Sequence, residues 1–320
     1  MTHFKSFDGL RFIAFLPIFF LHACGGDMLY TITLASLDFF FLLSGFLTAY
    51  GRLPDFTATV PNEQKKMAIW SYTMRYMSSK IRTFYPIHLG CFFWCLLIIL
   101  CFSPQSAGFV PSSPTEWAWK TPLHLLLLQS WSCEPDIKFC FNGVTWFLSS
   151  LMFCYAVSPL LLMQVSRLYS RYGKKCFFLI GITALLLKTL PYIYNADLSI
   201  STDFTSLYDR DIHSWPLLRL LDYSIGMCAG CLLRLHPPSK TPSSFFQYTA
   251  LLLLSVSCIF TPGPVTLLLS VILLYLLATC STQFTKLLSC NIFVFLGGLV
   301  MPLAHDERSV RNFFRYGIDF

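Results

Sequence analysis

Charged residues are scarce in this sequence of 320 residues. Only 12% of the residues are Asp, Glu, Lys or Arg, about half the share of an average soluble domain, while 55% are hydrophobic. Because so few charges cannot cover a water-facing surface, most of the surface must face lipid. No stretch is long and polar enough to form a second, soluble domain. The composition therefore predicts an all-α fold, a polytopic transmembrane helical bundle, with a single domain over residues 1–303.

Several short motifs of soluble enzymes are also missing. The sequence has no Walker loop, no GxSxG elbow, no HExxH motif and no dinucleotide fingerprint. The net charge of +7 does not indicate nucleic-acid binding, because the basic residues lie in short loops beside apolar runs, as the positive-inside rule requires. The lipid bilayer is therefore the expected partner, with no nucleic acid.

The 13 cysteines lie mostly within apolar runs, where cysteine behaves as a small hydrophobic residue. Cys228 and Cys231 form a CxxC pair, but glycine and alanine surround them in an apolar run, which favours close helix packing over a zinc site. We expect no metal. Cys133 and Cys140 share one loop on the expected outer side, where a disulfide is predicted.

The apolar runs predict about eight to ten spans. Eight are clear and a ninth is weaker: 7–25, 29–50, 84–102, 144–165, 176–194, 216–233, 245–260, 265–280 and then 292–303. The basic excess of residues 52–83 places this segment and the N-terminus in the cytoplasm, and an apolar face there predicts an amphipathic surface helix. Residues 122–131 are too short to cross and are predicted to be re-entrant or interfacial. Residues 304–320 form an atypical polar tail.

Two ionisable residues stand out in the first apolar run. Arg11 and His22 are eleven residues apart, which on a helix corresponds to three turns plus about 20°, so their side chains share one face roughly 16 Å apart along the axis. Ionisable groups inside spans are costly and usually functional. A neutral imidazole can act as a general base and a guanidinium can hold a phosphate or a carbonyl oxygen. The alternatives are an Arg11 that snorkels to the headgroups and a His22 that only bonds a neighbouring helix.

Further polar residues are expected to join this interior. Asp8 is three residues before Arg11 and can pair with it. Asp38 precedes three phenylalanines and needs a partner, whereas Ser44 and the glycine after it could instead be a packing notch. Arg219 and Asp222, three residues apart, could satisfy each other. The remaining histidines are interpreted as loop or headgroup residues: His3, His88, His124, His213, His236 and His305.

Five segments together resemble integral-membrane acyltransferase family 3, whose members transfer acetyl and related acyl groups to sugars of cell-surface glycans. They are Phe7 to His22 with its Arg-X10-His pattern, Asp38 to Leu47 with its Ser-Gly-Phe ending, Lys80 to Pro86, Thr145 to Ser149 around a tryptophan, and Arg219 to Gly230. They follow the family's order over most of the chain.

The resemblance implies a membrane-bound O-acyltransferase in the bacterial inner (plasma) membrane. Acetyl-CoA would be the cytoplasmic acyl donor, and the acceptor would be a sugar hydroxyl of a surface or exported polysaccharide, a glycan or a lipid-linked sugar. His22 and Arg11 would be the catalytic pair. The predicted donor- or substrate-binding residues are Asp8, Asp38, Ser44, Lys80, Arg82, Tyr85, Trp146, Arg219 and Asp222. A transporter or flippase with the same polar interior, and an inactive truncated homologue, stay open as alternatives.

Overall fold

The computed structural model describes residues 4–24, 27–53, 62–102, 110–132, 134–198, 213–260 and 263–300. The regular structure of these ranges is helical and contains no strand, so the all-α prediction is confirmed. Cys133 of the predicted disulfide and the predicted tail 304–320 lie outside the described residues, while Cys140 is a buried free thiol.

Twelve α-helices lie within the described ranges. They are α1 (Lys5–Cys24), α2 (Asp27–Arg52), α3 (Asn62–Phe102), α4 (Pro114–Leu125), α5 (Pro135–Lys138), α6 (Trp146–Tyr172), α7 (Lys175–Leu198), α8 (Pro216–Leu235), α9 (Ser244–Phe260), α10 (Pro264–Thr279), α11 (Gln283–Leu288) and α12 (Asn291–Val300). Two short 3₁₀ turns, Gln129–Trp131 and Gly143–Thr145, flank α5.

The long helices have the dimensions that a bilayer requires. Within the described residues, five helical segments are long and apolar enough to cross a membrane: Lys5–Cys24, Leu29–Arg52, Trp70–Cys101, Gly143–Tyr172 and Pro216–Leu235. Three shorter apolar helices follow in α9, α10 and α12. The chain is therefore a multi-pass helical membrane protein, as the composition predicts.

The segment around α3 differs from its prediction. A surface helix and a separate span from residue 84 are expected, but α3 runs unbroken for 41 residues with Pro86 inside it. The predicted boundary rests on the charge pattern, and charged residues do not interrupt a helix. The predicted apolar face is exposed at Trp70, Met74 and Ile81, as expected of a face that contacts lipid.

The region before α6 contains only short elements. Ser113 caps the N-terminus of α4 by accepting a hydrogen bond from the backbone N–H of Glu116, and Pro114 occupies the first helical position. α4 has 12 residues and ends at Leu125, and the chain continues into a 3₁₀ turn. The prediction that residues 122–131 are too short to cross is therefore confirmed.

The chain divides into two compact units. The first comprises residues 1–58, 162–189 and 221–320, and the second comprises residues 59–161 and 190–220. The core of the first unit contains large apolar side chains of α1, α2 and α10, such as Phe7, Phe46 and Leu274. In the second unit, buried side chains of α3 and α6 include Phe84 and Tyr155, whose rings stack with centroids 6.3 Å apart.

Glycines let helices of the first unit approach closely. A Cβ atom at Gly226 of α8 would lie 1.8 Å from the carbonyl oxygen of Leu42 in α2, and one at Gly45 would lie 1.9 Å from that of Tyr223. At such distances a side chain cannot be accommodated without separating the two backbones. The close packing predicted for the Ser44-Gly45 segment and for the glycine-rich part of α8 is thus observed.

Candidate functional site

α1 carries the predicted catalytic pair. Arg11 is 3% exposed, and its Nη1 donates a hydrogen bond to the Asp8 carboxylate one turn earlier. The predicted pairing of these two residues is therefore confirmed. Removing one partner of a buried ion pair leaves an uncompensated charge, so Asp8 compensates the charge of the guanidinium and fixes its position inside the bundle.

His22 lies in the last turn of the same helix, and its side chain is exposed. α1 is continuous between the two residues, with Pro17 inside it, so the axial separation of roughly 16 Å holds. The two groups have different surroundings, because Arg11 is buried in an ion pair whereas the imidazole is exposed among the described residues. A cleft lined by both side chains stays a prediction.

A second charged cluster lies inside the first unit. Lys188 of α7 is fully buried, and its Nζ lies 2.9 Å from Oδ2 of Asp222 in α8 and 3.5 Å from Oδ1 of Asp38 in α2. Asp222 is also fully buried and Asp38 is 5% exposed. One ammonium group thus joins carboxylates from two other helices, which we call the Lys188 triad.

The Lys188 triad supplies a partner for each of its carboxylates. Asp222 forms an ion pair with Lys188, because α7 packs its lysine against this face of α8, and the pairing of Asp222 with Arg219 stays a prediction. Arg219 itself is fully buried. The partner that Asp38 requires is also Lys188. Sequence reasoning missed Lys188, although a lone cation within an apolar run is itself an indication of a buried ionic contact.

Ser44 is 6% exposed and belongs to the closely packed part of α2 beside Gly45. This position supports the packing alternative for the segment, and a binding role for Ser44 stays a prediction.

The predicted residues of α3 lie in the second unit. Nζ of Lys80 lies 4.5 Å from the centroid of the Tyr155 ring and 5.4 Å from that of Tyr76, within cation–π range. Arg82 is exposed. The hydroxyl of Tyr85 donates to the carbonyl oxygen of Leu125 at 2.7 Å, which ties α3 to the end of α4.

Two histidines of the second unit are not headgroup residues, and the interpretation given to them is wrong. His88 and His124 are 3% and 1% exposed. Nε2 of His88 lies 3.0 Å from the carbonyl oxygen of His124, and Nε2 of His124 lies 2.8 Å from that of Ile137. Each ring nitrogen donates, since a carbonyl only accepts. Burial lowers the pKa of His124, in the non-spanning helix α4, to about 4.

Trp146 is 9% exposed and begins α6. Its ring meets that of His213 edge to face, with centroids 5.2 Å apart, and its carbonyl oxygen accepts a hydrogen bond from the hydroxyl of Ser130 at 2.7 Å. The tryptophan motif therefore lies at a junction between α6, the 3₁₀ turn Gln129–Trp131 and the segment before α8.

A curated relative and a family model match the sequence of this chain. Acyltransferase MdmB of Streptomyces mycarofaciens is 26% identical over 253 residues, which cover 73% of this chain and 58% of that protein. The chain thus matches less than two thirds of the length of this relative. No solved structure matches the chain. The family model described as an acyltransferase domain, that of acyltransferase family 3, matches residues 4–303. Because this match covers nearly the whole sequence, the chain belongs to acyltransferase family 3.

Proposed function

We propose that this protein transfers an acetyl group from acetyl-CoA to a sugar hydroxyl of a surface or exported polysaccharide, in the inner membrane of a bacterium. The observation that carries the proposal is the arrangement of α1 in a chain of an acyltransferase family. A buried, paired guanidinium lies near one end of this helix, and an exposed imidazole lies near the other.

In this proposal His22 is the general base. Its imidazole removes the proton of the sugar hydroxyl while the hydroxyl oxygen attacks the thioester carbonyl carbon. The new C–O bond forms as the C–S bond breaks, and the proton then passes from the imidazolium to the departing thiolate of CoA. No proton is gained or lost overall, so a single base suffices.

Arg11 has a different role, because roughly 16 Å along the helix separates it from His22. At this distance it does not reach the atoms that react beside His22. A guanidinium held by Asp8 instead binds an anionic or carbonyl oxygen elsewhere on the donor. Arg11 therefore positions the donor, and His22 acts on the acceptor.

The CoA portion of the donor is anionic and requires cations on the cytoplasmic side. Arg82 is exposed on α3, in the segment with the basic excess, and Lys80 precedes it by two positions, which places the two side chains on different sides of the helix. A guanidinium binds phosphate oxygens, so Arg82 is the residue that we assign to a phosphate of CoA. Lys80 packs against aromatic rings, and its binding role stays a prediction.

Ester content of surface glycans tests the proposal in cells. We expect cells that express the native chain to contain acyl esters on the glycan, and cells that express His22→Ala to show background levels. Arg11→Ala should also lower the ester content strongly, because the donor is no longer held. The matched control is His236→Ala, since His236 is exposed and contacts only Tyr169 among the described hydrogen-bond partners.

The proposal fails if His22→Ala, inserted in the membrane at the native level, retains the native ester content. A loss of esters in the His236→Ala control would also count against a specific role for His22.

A further inference from the structure

A dense group of cations lies where α6 ends and α7 begins, in the first unit. Residues 167–175 include four basic residues and no acidic one. All four basic side chains are exposed, and we call them the turn cluster: Arg167, Arg171, Lys174 and Lys175. The ion pairs found among the described residues involve other cations. The turn cluster therefore presents its positive charge to the surroundings of the protein.

A tight turn holds the cluster together. Gly173 has a left-handed backbone with a φ of +58°, and its N–H donates to the carbonyl oxygen of Tyr169 at 2.8 Å, which ends α6. α7 begins two residues later, at Lys175. The ring of Tyr169 stacks on that of Phe177 in α7, with centroids 5.4 Å apart. The last turns of α6 and the first turn of α7 are thus fixed against each other.

The charges of this turn repel one another. Lys174 and Lys175 lie at the start of α7, where the helix dipole already adds positive charge, and the first turn of α7 contains no acidic residue. The acidic residues that the structure describes in the first unit belong to other helices: Asp8, Asp27, Asp38 and Asp222. An anion from outside the chain would therefore stabilise this end of the unit.

An exposed apolar face continues from the cluster along α7. Lys175 shares a sector of about 100° of the helix circumference with four apolar residues. Their side chains are between 54% and 68% exposed: Phe178, Leu179, Ile182 and Leu186. From Lys175 to Leu186 the helix rises roughly 16 Å, close to half of the ~30 Å hydrocarbon core of a bilayer. The face thus has the length of one leaflet, with a cation at its end.

Tyr172 indicates the level of the lipid headgroups. Its side chain is 53% exposed, and the guanidinium of Arg171 lies 5.3 Å from the centroid of its ring. Tyrosine is enriched where a membrane meets water, and basic residues are enriched on the cytoplasmic side. A ligand that contacts both the turn cluster and the apolar face of α7 therefore belongs to the inner leaflet.

The apolar face distinguishes between two sources of a phosphate anion. A soluble nucleotide offers phosphates to the cations but nothing that packs on the leucine-rich face below them. A phospholipid offers both, because its phosphate lies at the headgroup level and its acyl chains extend into the hydrocarbon core. The combination of charge and exposed apolar surface therefore favours a lipid.

We propose that the turn cluster and the exposed face of α7 form a binding site for an anionic phospholipid of the inner leaflet. The lipid phosphate contacts the cations of the cluster, and an acyl chain packs along Phe178, Ile182 and Leu186. The site lies beyond the proposed function and does not depend on acyl transfer.

Titration with single lipids tests the site. The full chain is purified in a neutral detergent, and native mass spectrometry measures the bound fraction of added phosphatidylglycerol or of phosphatidylcholine with the same acyl chains. We expect phosphatidylglycerol to bind more tightly. Lys174→Gln combined with Lys175→Gln should weaken its binding about 30-fold, since each lysine beside an anionic lipid contributes roughly a factor of five.

The matched control removes the same amount of charge from other helices. Lys5→Gln combined with Lys286→Gln deletes exposed cations of α1 and α11 in the same unit, and should leave phosphatidylglycerol binding unchanged. Without added lipid, we expect the native protein and both double variants to have the same Tm, because all four lysines are exposed. This comparison separates lipid binding from folding.

Three results of the titration would overturn the lipid site. They are equal affinity of the native chain for the two lipids, equal phosphatidylglycerol affinity of the native and Lys174→Gln/Lys175→Gln proteins, and an equally large loss in the control, which would assign the effect to net charge. Added coenzyme A supplies a fourth comparison. Phosphatidylglycerol should stay bound in its presence, whereas its displacement would show that the cluster binds a soluble phosphate instead.

Discussion

Buried charged side chains of the first unit form ion pairs, in α1 between Asp8 and Arg11 and in the Lys188 triad. The ion pair between Asp8 and Arg11 follows from local helix geometry, because a spacing of three residues brings the two side chains together. The need of Asp38 for a partner is likewise apparent from its phenylalanine neighbours. The identity of that partner is not, because Lys188 is 150 positions away and only tertiary packing brings them together.

The histidines show the same limit. The spacing of residues in the sequence does not predict the hydrogen bonds that His88 and His124 donate to backbone carbonyl oxygens of other segments. Their burial depends on how α3, α4 and α5 pack, which a single sequence does not encode locally. The contact between Trp146 and His213 is missed for the same reason, since the two residues lie in separate segments.

His124 makes the stability of the second unit sensitive to acid. Its pKa in the folded protein is lowered from 6.5 to about 4, so as the pH falls the unfolded chain takes up a proton first. The stabilisation is fully present above about pH 6.5 and is lost as the pH falls towards about 4. The shift corresponds to roughly 3 kcal/mol of unfolding free energy, by the conversion of about 1.4 kcal/mol per pKa unit.

His124→Gln separates this effect from other titrations. Glutamine retains an N–H donor for the carbonyl oxygen of Ile137 but does not titrate. We expect hydrogen exchange in residues 114–138, corrected for its intrinsic pH dependence, to rise between pH 7 and pH 4.5 in the native protein and to rise much less in the variant. An equal rise in both proteins would assign the acid sensitivity to other groups.

At the scale of elements, helices are more predictable than their contacts. The predicted spans coincide with α1, α2 and the helices from α6 to α10. An apolar run in a membrane must form a helix, because its backbone N–H and C=O groups have no water to bond. The continuous α3 is the exception, since charge pattern alone suggested a boundary within it. What joins α2, α7 and α8 is the Lys188 triad, and close packing at Gly45 and Gly226 adds to the contact of α2 with α8.

Lys188→Met tests the role of the triad. The substitution keeps the length and packing of the side chain but leaves two buried carboxylates without their shared ammonium, which typically costs about 3–5 kcal/mol. We expect a clear fall in the Tm of the detergent-purified protein. Lys175→Met is the matched control, because Lys175 is the exposed first residue of the same helix, and it should leave the Tm nearly unchanged.

Neutralising the two carboxylates of the triad as well as the lysine tests whether the lost stability is due to uncompensated charge. Lys188→Met combined with Asp38→Asn and Asp222→Asn removes the uncompensated charges, and we expect it to recover part of the lost stability. If Lys188→Met melts at the native temperature, the three residues do not hold these helices together.

At the scale of the whole molecule, the composition indicates a membrane protein and the family match indicates an acyltransferase. A chain with 12% charged residues must be a membrane protein, and the match over residues 4–303 makes it a member of an acyltransferase family. The proposed reaction has a direction, with the donor assigned to the cytoplasm and the glycan to the outer side. Arg11 lies near the start of α1 and His22 near its end, and the proposal assigns the donor to the first residue and the acceptor to the second.

The most direct test of this account is transfer across sealed, inside-out membrane vesicles. Acetyl-CoA with a labelled acetyl group does not cross the bilayer, so it is added to the medium, while the glycan acceptor is enclosed in the lumen. We expect labelled ester on the enclosed glycan with the native protein, and background label with His22→Ala at equal protein content. Equal label with both proteins, or label only when the glycan shares the medium with acetyl-CoA, would contradict the account.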